Sequence, residues 1–230
     1  FYPQLASNRP DAMSELGVYG AVYKIAIVMV MFTQAFRFAY EPFIFARNKD
    51  TGDGNKKSYS DAMKYFIIFG LFIFLAVMFY IDLVRFFMPE TYCTGLKVVP
   101  IVMLAELFFG VFFNLSLWYK LTDRTQWGAW FSLFGFAITA IINIVGVPRF
   151  GYMACAWGAF VCYASMMLAS FFIGQRVYPI RYDLKSAFRY TLLTVVLYAV
   201  AMVVPIESLF LRLAFRTLLL GVFLVYLFRH

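Results

Sequence analysis

The sequence predicts an all-α fold, a polytopic membrane helix bundle of about seven transmembrane helices. Of its 230 residues, 63% are hydrophobic, 21% are aromatic and 14% are charged. A soluble domain carries about 25% charged residues, so this composition cannot cover a water-exposed surface. Apolar stretches of about 20 residues, enough for a helix to cross a hydrocarbon core of about 30 Å, recur along the whole chain. Together these observations exclude a soluble protein.

Seven segments are long and apolar enough, or nearly so, to span a bilayer. They lie near residues 17–45, 63–87, 98–121, 127–148, 151–174, 186–205 and 208–228. Proline and glycine concentrate in the breaks between them, as expected where helices end. We therefore predict an extracytoplasmic segment at 1–16 and a transmembrane bundle at 17–230. The last segment carries Arg212 and Arg216 on one face, which leaves an interfacial amphipathic helix as the alternative to a span.

The basic residues predict how the chain is oriented. There are 20 Lys plus Arg and 12 Asp plus Glu, for a net charge of +8. When alternate loops are grouped, five cations (Arg9, Arg85, Lys97, Arg149 and Arg212) lie on one side. Twelve lie on the other: Arg47, Lys49, Lys56, Lys57, Lys64, Lys120, Arg124, Arg176, Arg181, Lys185, Arg189 and Arg229. The richer side is expected in the cytoplasm, which places the N-terminus outside and the C-terminus inside.

The start of the chain and its charged residues indicate which partners to expect. The chain opens on Phe1 without a signal segment, so an outside N-terminus indicates earlier spans in a longer protein. No basic arm interleaved with aromatic residues and no nucleic-acid motif is present, so nucleic acid is not an expected partner. The expected surroundings are the lipid bilayer and a further transmembrane bundle.

The first segment combines polar groups on one face of an apolar helix. Gly17, Gly20, Lys24, Gln34, Arg37 and Glu41 fall within a band of about 160°. Arg37 and Glu41 are spaced to pair across one turn. Either this stripe lines a water-filled cavity that holds an anionic substrate, or its charged groups reach the two membrane interfaces.

The third segment places a carboxyl group near mid-membrane. Glu106 is too far from either end to reach water, so it must be neutral, paired or directed into a cavity. It is our candidate for coupling to an ion, and the alternative is a hydrogen bond to a neighbouring helix. Asn114 follows two turns later and joins the cavity candidates. Trp118, Trp127 and Trp130 are predicted to lie at a membrane interface.

Residue types needed for catalysis are scarce. The only histidine is His230, and the sequence contains no nucleophile elbow, phosphate-binding loop or zinc-type cysteine spacing. Cys93, Cys155 and Cys162 are an odd number without metal-site spacing. We therefore expect neither an enzyme nor a metal or cofactor. Transport by conformational change fits this chain better.

Three stretches carry a resemblance to a known family. They are GVYGAVYKIA with FTQAFRFAYEPFIFA (17–46), VVPI…NLSLWYKLTD (98–123) and VPRFGYMACAW (147–157). With these stretches in this order along the sequence, the chain resembles bacterial polysaccharide and lipopolysaccharide biosynthesis transporters. These belong to the multidrug/oligosaccharidyl-lipid/polysaccharide flippase superfamily.

The resemblance implies a function and a partner. Such proteins have two helical bundles around a central cavity and move undecaprenyl-diphosphate-linked sugar units across the cytoplasmic membrane by alternating access. They have about twice the seven spans predicted here, so this chain corresponds to one lobe, the C-terminal half. The missing N-terminal bundle is then its partner. Lys24 and Arg37 occupy positions like those of the cavity-facing basic residues that meet the diphosphate.

Two other functions stay open from sequence. A cation-coupled multidrug exporter of the same superfamily would use Glu106, although the basic stripe favours an anionic substrate. A membrane-embedded glycan enzyme would need a large catalytic loop, and the longest predicted loop, 46–62, has 17 residues. The enzyme is therefore the least favoured of the three.

Overall fold

The computed structural model describes residues 9–47, 54–204 and 208–229, with side chains described for 14–44, 56–204 and 208–229. Within these ranges the chain is an all-helical bundle, which confirms the predicted fold class. The helices are α1 (Arg9–Arg47), α2 (Gly54–Phe79), α3 (Ile81–Phe87), α4 (Glu90–Cys93), a 3₁₀ helix (Thr94–Val98), α5 (Val99–Leu115), α6 (Leu117–Leu121), α7 (Gln126–Phe150), α8 (Tyr152–Val177), α9 (Leu184–Val203) and α10 (Leu209–Arg229).

Seven helical runs in the described residues are long and apolar enough to cross a membrane, as predicted. They are Ser14–Ile44, Lys56–Phe79, Glu90–Leu121, Gln126–Phe150, Tyr152–Val177, Leu184–Val203 and Leu209–Arg229. The last run is a single helix of 21 residues. The described chain is thus a multi-pass membrane protein by the length and composition of its helices.

Several predicted boundaries differ from the structure. The sequence predicts the second span at 63–87, but the helix begins at Gly54 and ends at Phe79, where Tyr80 leaves the helical conformation (φ −98°, ψ 12°). The hydropathy of α3 hides this break, because its residues stay apolar around Asp82. At the N-terminal end of the chain, residues 1–8 of the predicted 1–16 segment lie outside the described residues. The first helix, α1, already begins at Arg9.

α5 lies at the centre of the bundle. It packs against α1, α2 and α8, while α7 packs on α8. α9 packs on α2 and α10, and α10 also contacts α2. The main core contains fully buried aromatic and aliphatic side chains of α2 and α5, among them Phe66, Leu75, Phe79 and Met103. The position of α5 explains why the carboxyl group of this helix is enclosed by protein.

Small residues bring α7 and α8 close together. Gly146 of α7 faces Ala154, and Gly158 of α8 faces Ile142. The fifth segment of the sequence carries small residues three or four positions apart, a pattern that predicts such close packing: Gly151, Ala154, Cys155, Gly158, Ala159 and Cys162. The two helices are joined by Gly151 alone, whose φ of 57° and ψ of −143° lie in a region that essentially only glycine adopts.

Trp118, which was predicted at a membrane interface, does not face outward from the bundle. This side chain is 2% exposed and lies in the core between α6 and α8, with its Nε1 donating to Ser170 Oγ over 3.3 Å. Trp130, in contrast, is 64% exposed. A neighbouring glycine in α8, Gly174, leaves the room that the indole of Trp118 occupies. That partner is 56 positions away in sequence, so the local pattern could not reveal it.

α9 begins at a side-chain cap. Asp183 accepts a hydrogen bond from the backbone N–H of Ser186 over 3.1 Å, and its other carboxylate oxygen lies 3.7 Å from Lys64 Nζ. The hydrogen bonds from Ser186, assisted by Lys64, hold the pKa of Asp183 below its ordinary value. The cap fixes where the 178–183 connection enters α9.

Candidate functional site

One face of α1 is left uncovered by the rest of the described chain. The opposite face packs into the bundle through Val22, Ala26 and Met29. The uncovered face carries Lys24 and Gln34, both exposed. No hydrogen bond or ion pair of the Lys24 side chain is found among the described residues. A charged side chain within a span raises the free energy of membrane insertion by about 2.5–3.5 kcal/mol if it meets lipid. We therefore expect a polar neighbour to lie against this face.

A cluster of three charges lies at the far end of the α1 span. Arg37 Nε lies 3.9 Å from Glu41 Oε1, so the predicted pair across one turn forms. Lys120 of α6 donates to the same Glu41 oxygen over 2.6 Å. The guanidinium of Arg37 also lies over the ring of Phe113, 4.9 Å from its centre. All three charged side chains are about one-third exposed.

Lys120 is a member of this cluster that sequence reasoning missed. Its position near a helix end placed it among the charges that set topology. Its pairing depends on the contact between α1 and α6, 79 positions apart in sequence. The cluster carries two cations and one carboxylate, so one positive charge remains uncompensated within it. Because Lys120 holds the shorter contact to Glu41, Arg37 is the more available cation.

A small cavity joins the cluster to α5. It has about 10 Å³ of space and is lined by Thr33, Arg37, Glu41, Gly110 and Asn114 among others. Thr33 Oγ1 and Arg37 Nε are buried there without a hydrogen-bond partner in the described residues. This volume admits about one water molecule, which would find polar partners in both atoms. The structure thus brings together Arg37, Glu41 and Asn114 of the predicted cavity set.

Asn114 does not offer its amide to this cavity freely. Its Nδ2 donates to the carbonyl of Gly110 one turn earlier on the same helix, over 3.3 Å. Lys24 and Gln34 remain apart from the cluster: Lys24 precedes Arg37 by 13 residues, or about 20 Å along the helix axis. The predicted stripe is therefore one exposed face of α1 with a charge cluster at one end.

Glu106 lies inside the bundle. Its side chain is 6% exposed and accepts a hydrogen bond from Tyr23 Oη over 2.9 Å. The hydrogen bond to a neighbouring helix, one of the two interpretations from sequence, is present. It also ties Glu106 to the exposed face, because Tyr23 directly precedes Lys24 in α1.

A second charge cluster, at the opposite end of the bundle, was not predicted. Arg216 of α10 is 5% exposed and donates to Asp82 Oδ2 over 2.9 Å and to the carbonyl of Phe79 over 3.0 Å. Arg212 Nη1 lies 3.2 Å from the same Asp82 oxygen. Tyr80 and Thr217 share a hydrogen bond of 2.8 Å beside it. These contacts fasten α10 to the break between α2 and α3, which is a structural role.

Metal-ligating residues do not gather in the described part of the chain: no three His, Cys, Asp or Glu side chains come close enough to hold an ion. The chemistry available at the α1 face is therefore that of fixed cations, one shared carboxylate and a separate buried carboxyl group.

Compared with known proteins, the chain matches no protein-family model, no curated protein and no solved structure.

Proposed function

We propose that this chain is one lobe of a flippase that moves undecaprenyl-diphosphate-linked oligosaccharides across the bacterial cytoplasmic membrane for polysaccharide or lipopolysaccharide assembly. The observation that carries the proposal is the exposed face of α1, where Lys24 lies within an apolar span without a partner in the described residues. The resemblance of the three sequence stretches to polysaccharide transporters supports it. No covalent chemistry is required of the chain.

In this proposal the exposed face of α1 borders a cavity shared with a second, N-terminal bundle. The substrate diphosphate is anionic, and Lys24 and Arg37 offer positive charge at two depths of that cavity. Gln34 lies between them and offers hydrogen bonds to the sugars or phosphates. Alternating access moves the two bundles against each other so that the face opens first to the cytoplasm and then to the outside. The N-terminus of this chain is outside and the C-terminus is cytoplasmic.

The test uses the full-length protein and measures delivery of lipid-linked oligosaccharide to the outer leaflet. Lys24→Ala and Arg37→Ala are each expected to lower delivery at least tenfold, since one lost charge contact to a phosphate is worth about 1.5–3 kcal/mol. Lys24→Arg should retain most delivery because the charge remains. Arg149→Ala, which removes an exposed cation at the end of α7, is the matched control. Unchanged delivery in both alanine variants would refute the proposed role.

A second candidate, favoured by Glu106, is a cation-coupled multidrug exporter of the same superfamily. A buried carboxyl group bonded to Tyr23 can take up and release a proton or cation as the cavity opens and closes. In this case Glu106→Gln abolishes drug resistance and its ion dependence together, while Lys24→Ala has little effect on a cationic drug. The flippase proposal instead expects Lys24→Ala to lower transport strongly.

A further inference from the structure

An apolar groove separates two consecutive helices, α8 and α9. Each packs elsewhere, α8 on α5 and α7 and α9 on α2 and α10, so a gap remains between them. Side chains of α2 and α5, such as Ile67 and Leu107, form its floor. Phe171 of α8 and Val195 of α9 form the walls. The groove has a volume of about 470 Å³, within the size range of ligand sites, and it is almost wholly apolar.

Few polar groups line the groove. Thr191, on the α9 wall, already donates its hydroxyl to the carbonyl of Ala187 one turn earlier, over 2.8 Å. Large side chains along the rim are turned outward from the bundle, with Phe172 63% and Val195 57% exposed. The groove is therefore open along its side to the lipid phase and fits a hydrocarbon chain rather than a polar molecule.

A basic pocket adjoins one end of this groove. It has a volume of about 700 Å³ and is lined by Lys56, Lys57, Ser60, Asp61 and Arg181 among others. Three cations against one carboxylate leave it with a net charge of +2 among these residues. The nearby carboxylate of Asp183 does not change this balance, because it is paired with Lys64 at 3.7 Å.

The pocket and the groove share their structural elements. Ser60 of the pocket lies one turn before Met63 of the groove in α2, and Arg181 directly precedes Tyr182, which lines the groove. A hydrogen bond of 2.9 Å from Ser60 Oγ to the carbonyl of Arg181 holds the 178–183 connection against α2 at this junction. Lys56 is placed there by its contact with the Tyr178 ring, 5.1 Å from the ring centre.

We propose that the groove and pocket together bind an anionic phospholipid from the leaflet at which α2 begins. One acyl chain lies between α8 and α9, and the phosphate and its negative charge meet Lys56, Lys57 and Arg181. A zwitterionic headgroup would bring a quaternary ammonium against the same three cations. A net positive pocket at the membrane boundary therefore selects an anionic lipid, such as phosphatidylglycerol. The site lies away from the exposed face of α1 and does not depend on the transport function.

The experiment is native mass spectrometry of the full-length protein with phosphatidylglycerol and phosphatidylcholine of identical chains. Phosphatidylglycerol should bind the unaltered protein more tightly. Lys56→Gln, Lys57→Gln and Arg181→Gln should each weaken it about fivefold, the effect of about one near-surface cation, with little change for phosphatidylcholine. Arg124→Gln, which removes an exposed cation outside the pocket, is the control. Equal binding of the two lipids, or equal effects of the pocket and control variants, would overturn the proposal.

The groove is tested separately from the pocket. Ala187→Phe fills the groove from α9 and should weaken both lipids at this site, whereas Ala214→Phe, on an exposed face of α10, should leave both unchanged. If Ala187→Phe does not yield folded protein, Val195→Phe replaces it, because that side chain is already half exposed at the rim. Retention of full phosphatidylglycerol affinity in a folded groove variant would contradict a bound acyl chain.

Discussion

Lys120 Nζ lies 2.6 Å from Glu41 Oε1, an ion pair that fastens the end of the α5–α6 run to the end of the α1 span. Arg37 shares the same oxygen at 3.9 Å. Glu41 thus holds two cations from two helices next to the face that we propose for substrate. Its role is to position Arg37 and to keep α1 and α6 together at one membrane boundary.

Removal of this shared carboxylate should loosen the contact between α1 and α6. Glu41→Gln is expected to lower the free energy of unfolding by about 1 kcal/mol, because the partly exposed pair with Lys120 is lost. Thermal unfolding in detergent measures the change. Glu90→Gln, at an exposed carboxylate of α4, should have no effect. In the double variant with Lys120→Met the losses should be less than additive; full additivity would show that the pair does not contribute.

Loss of the carboxylate in the Asp82–Arg216 cluster, at the opposite end of the bundle, should lower the free energy of unfolding more than Glu41→Gln does. Asp82→Asn leaves the buried guanidinium of Arg216 without its counterion, and breaking such a pair costs about 3–5 kcal/mol. Arg216→Met removes the buried charge itself and is expected to cost less. Thermal unfolding of the two variants gives the order, with Arg85→Gln, an exposed neighbour of the cluster, as control. A larger loss for Arg216→Met than for Asp82→Asn would contradict this account.

The close packing of Gly174 against Trp118 predicts a sharp response to one methyl group. A Cβ atom at position 174 would lie 2.7 Å from Cδ1 of the Trp118 ring, which is buried and cannot move aside easily. Gly174→Ala is therefore expected to destabilise by about 1–3 kcal/mol. Tryptophan fluorescence should shift to longer wavelength as the indole becomes more exposed.

A matched glycine provides the control for this substitution. A Cβ atom at Gly221 in α10 would meet nothing within 4 Å. Gly221→Ala should stabilise slightly, by up to about 1 kcal/mol, because alanine favours a helix over glycine. Equal effects at the two positions would mean that the loss at Gly174 arises from the backbone and not from contact with Trp118.

The proposed orientation can be tested with single cysteines in a cysteine-free, full-length protein. Arg124→Cys, in the turn before α7, should react with an impermeant maleimide only after the membrane is opened. Glu90→Cys, in α4, should react in intact spheroplasts. Both positions are exposed in the structure, so access to the reagent depends on the side of the membrane. The opposite pattern would reverse the orientation that the basic residues predict.

Composition and periodicity predicted the features that depend on neighbours in sequence. The seven apolar runs, the pairing of Arg37 with Glu41 one turn apart and the small-residue packing of α8 are of this kind. Features that depend on distant contacts could not be predicted. The break at Tyr80 lies beside Asp82, which binds two arginines of α10, Arg212 and Arg216, that follow it by 130 and 134 positions. The partners of Lys120 and Trp118 likewise lie on other helices. The local sequence could therefore not reveal them, and it indicated only that both residues lie near a membrane boundary.

The Glu106 position shows the limit more closely. Hydropathy and helix length indicate a carboxyl group that must be neutral, paired or directed into a cavity, and in the structure it accepts a hydrogen bond from Tyr23. Which tyrosine would supply the bond follows only from the register of α1 against α5. A polar residue inside an apolar helix therefore predicts that a partner exists, while identifying the partner requires the packing.

Gly151 has a consequence for how the membrane protein is made. With one residue between Phe150 and Tyr152, α7 and α8 have no loop in which a helix could pause or turn over. We therefore expect the two helices to enter the bilayer together as one antiparallel hairpin, because so short a joint couples the orientation of one helix to that of the other. A side chain at position 151 would strain this joint, because its backbone conformation favours glycine and a Cβ atom there would lie 2.7 Å from Glu15 Oε2. We therefore expect a substitution at Gly151 to lower the amount of folded protein in the membrane.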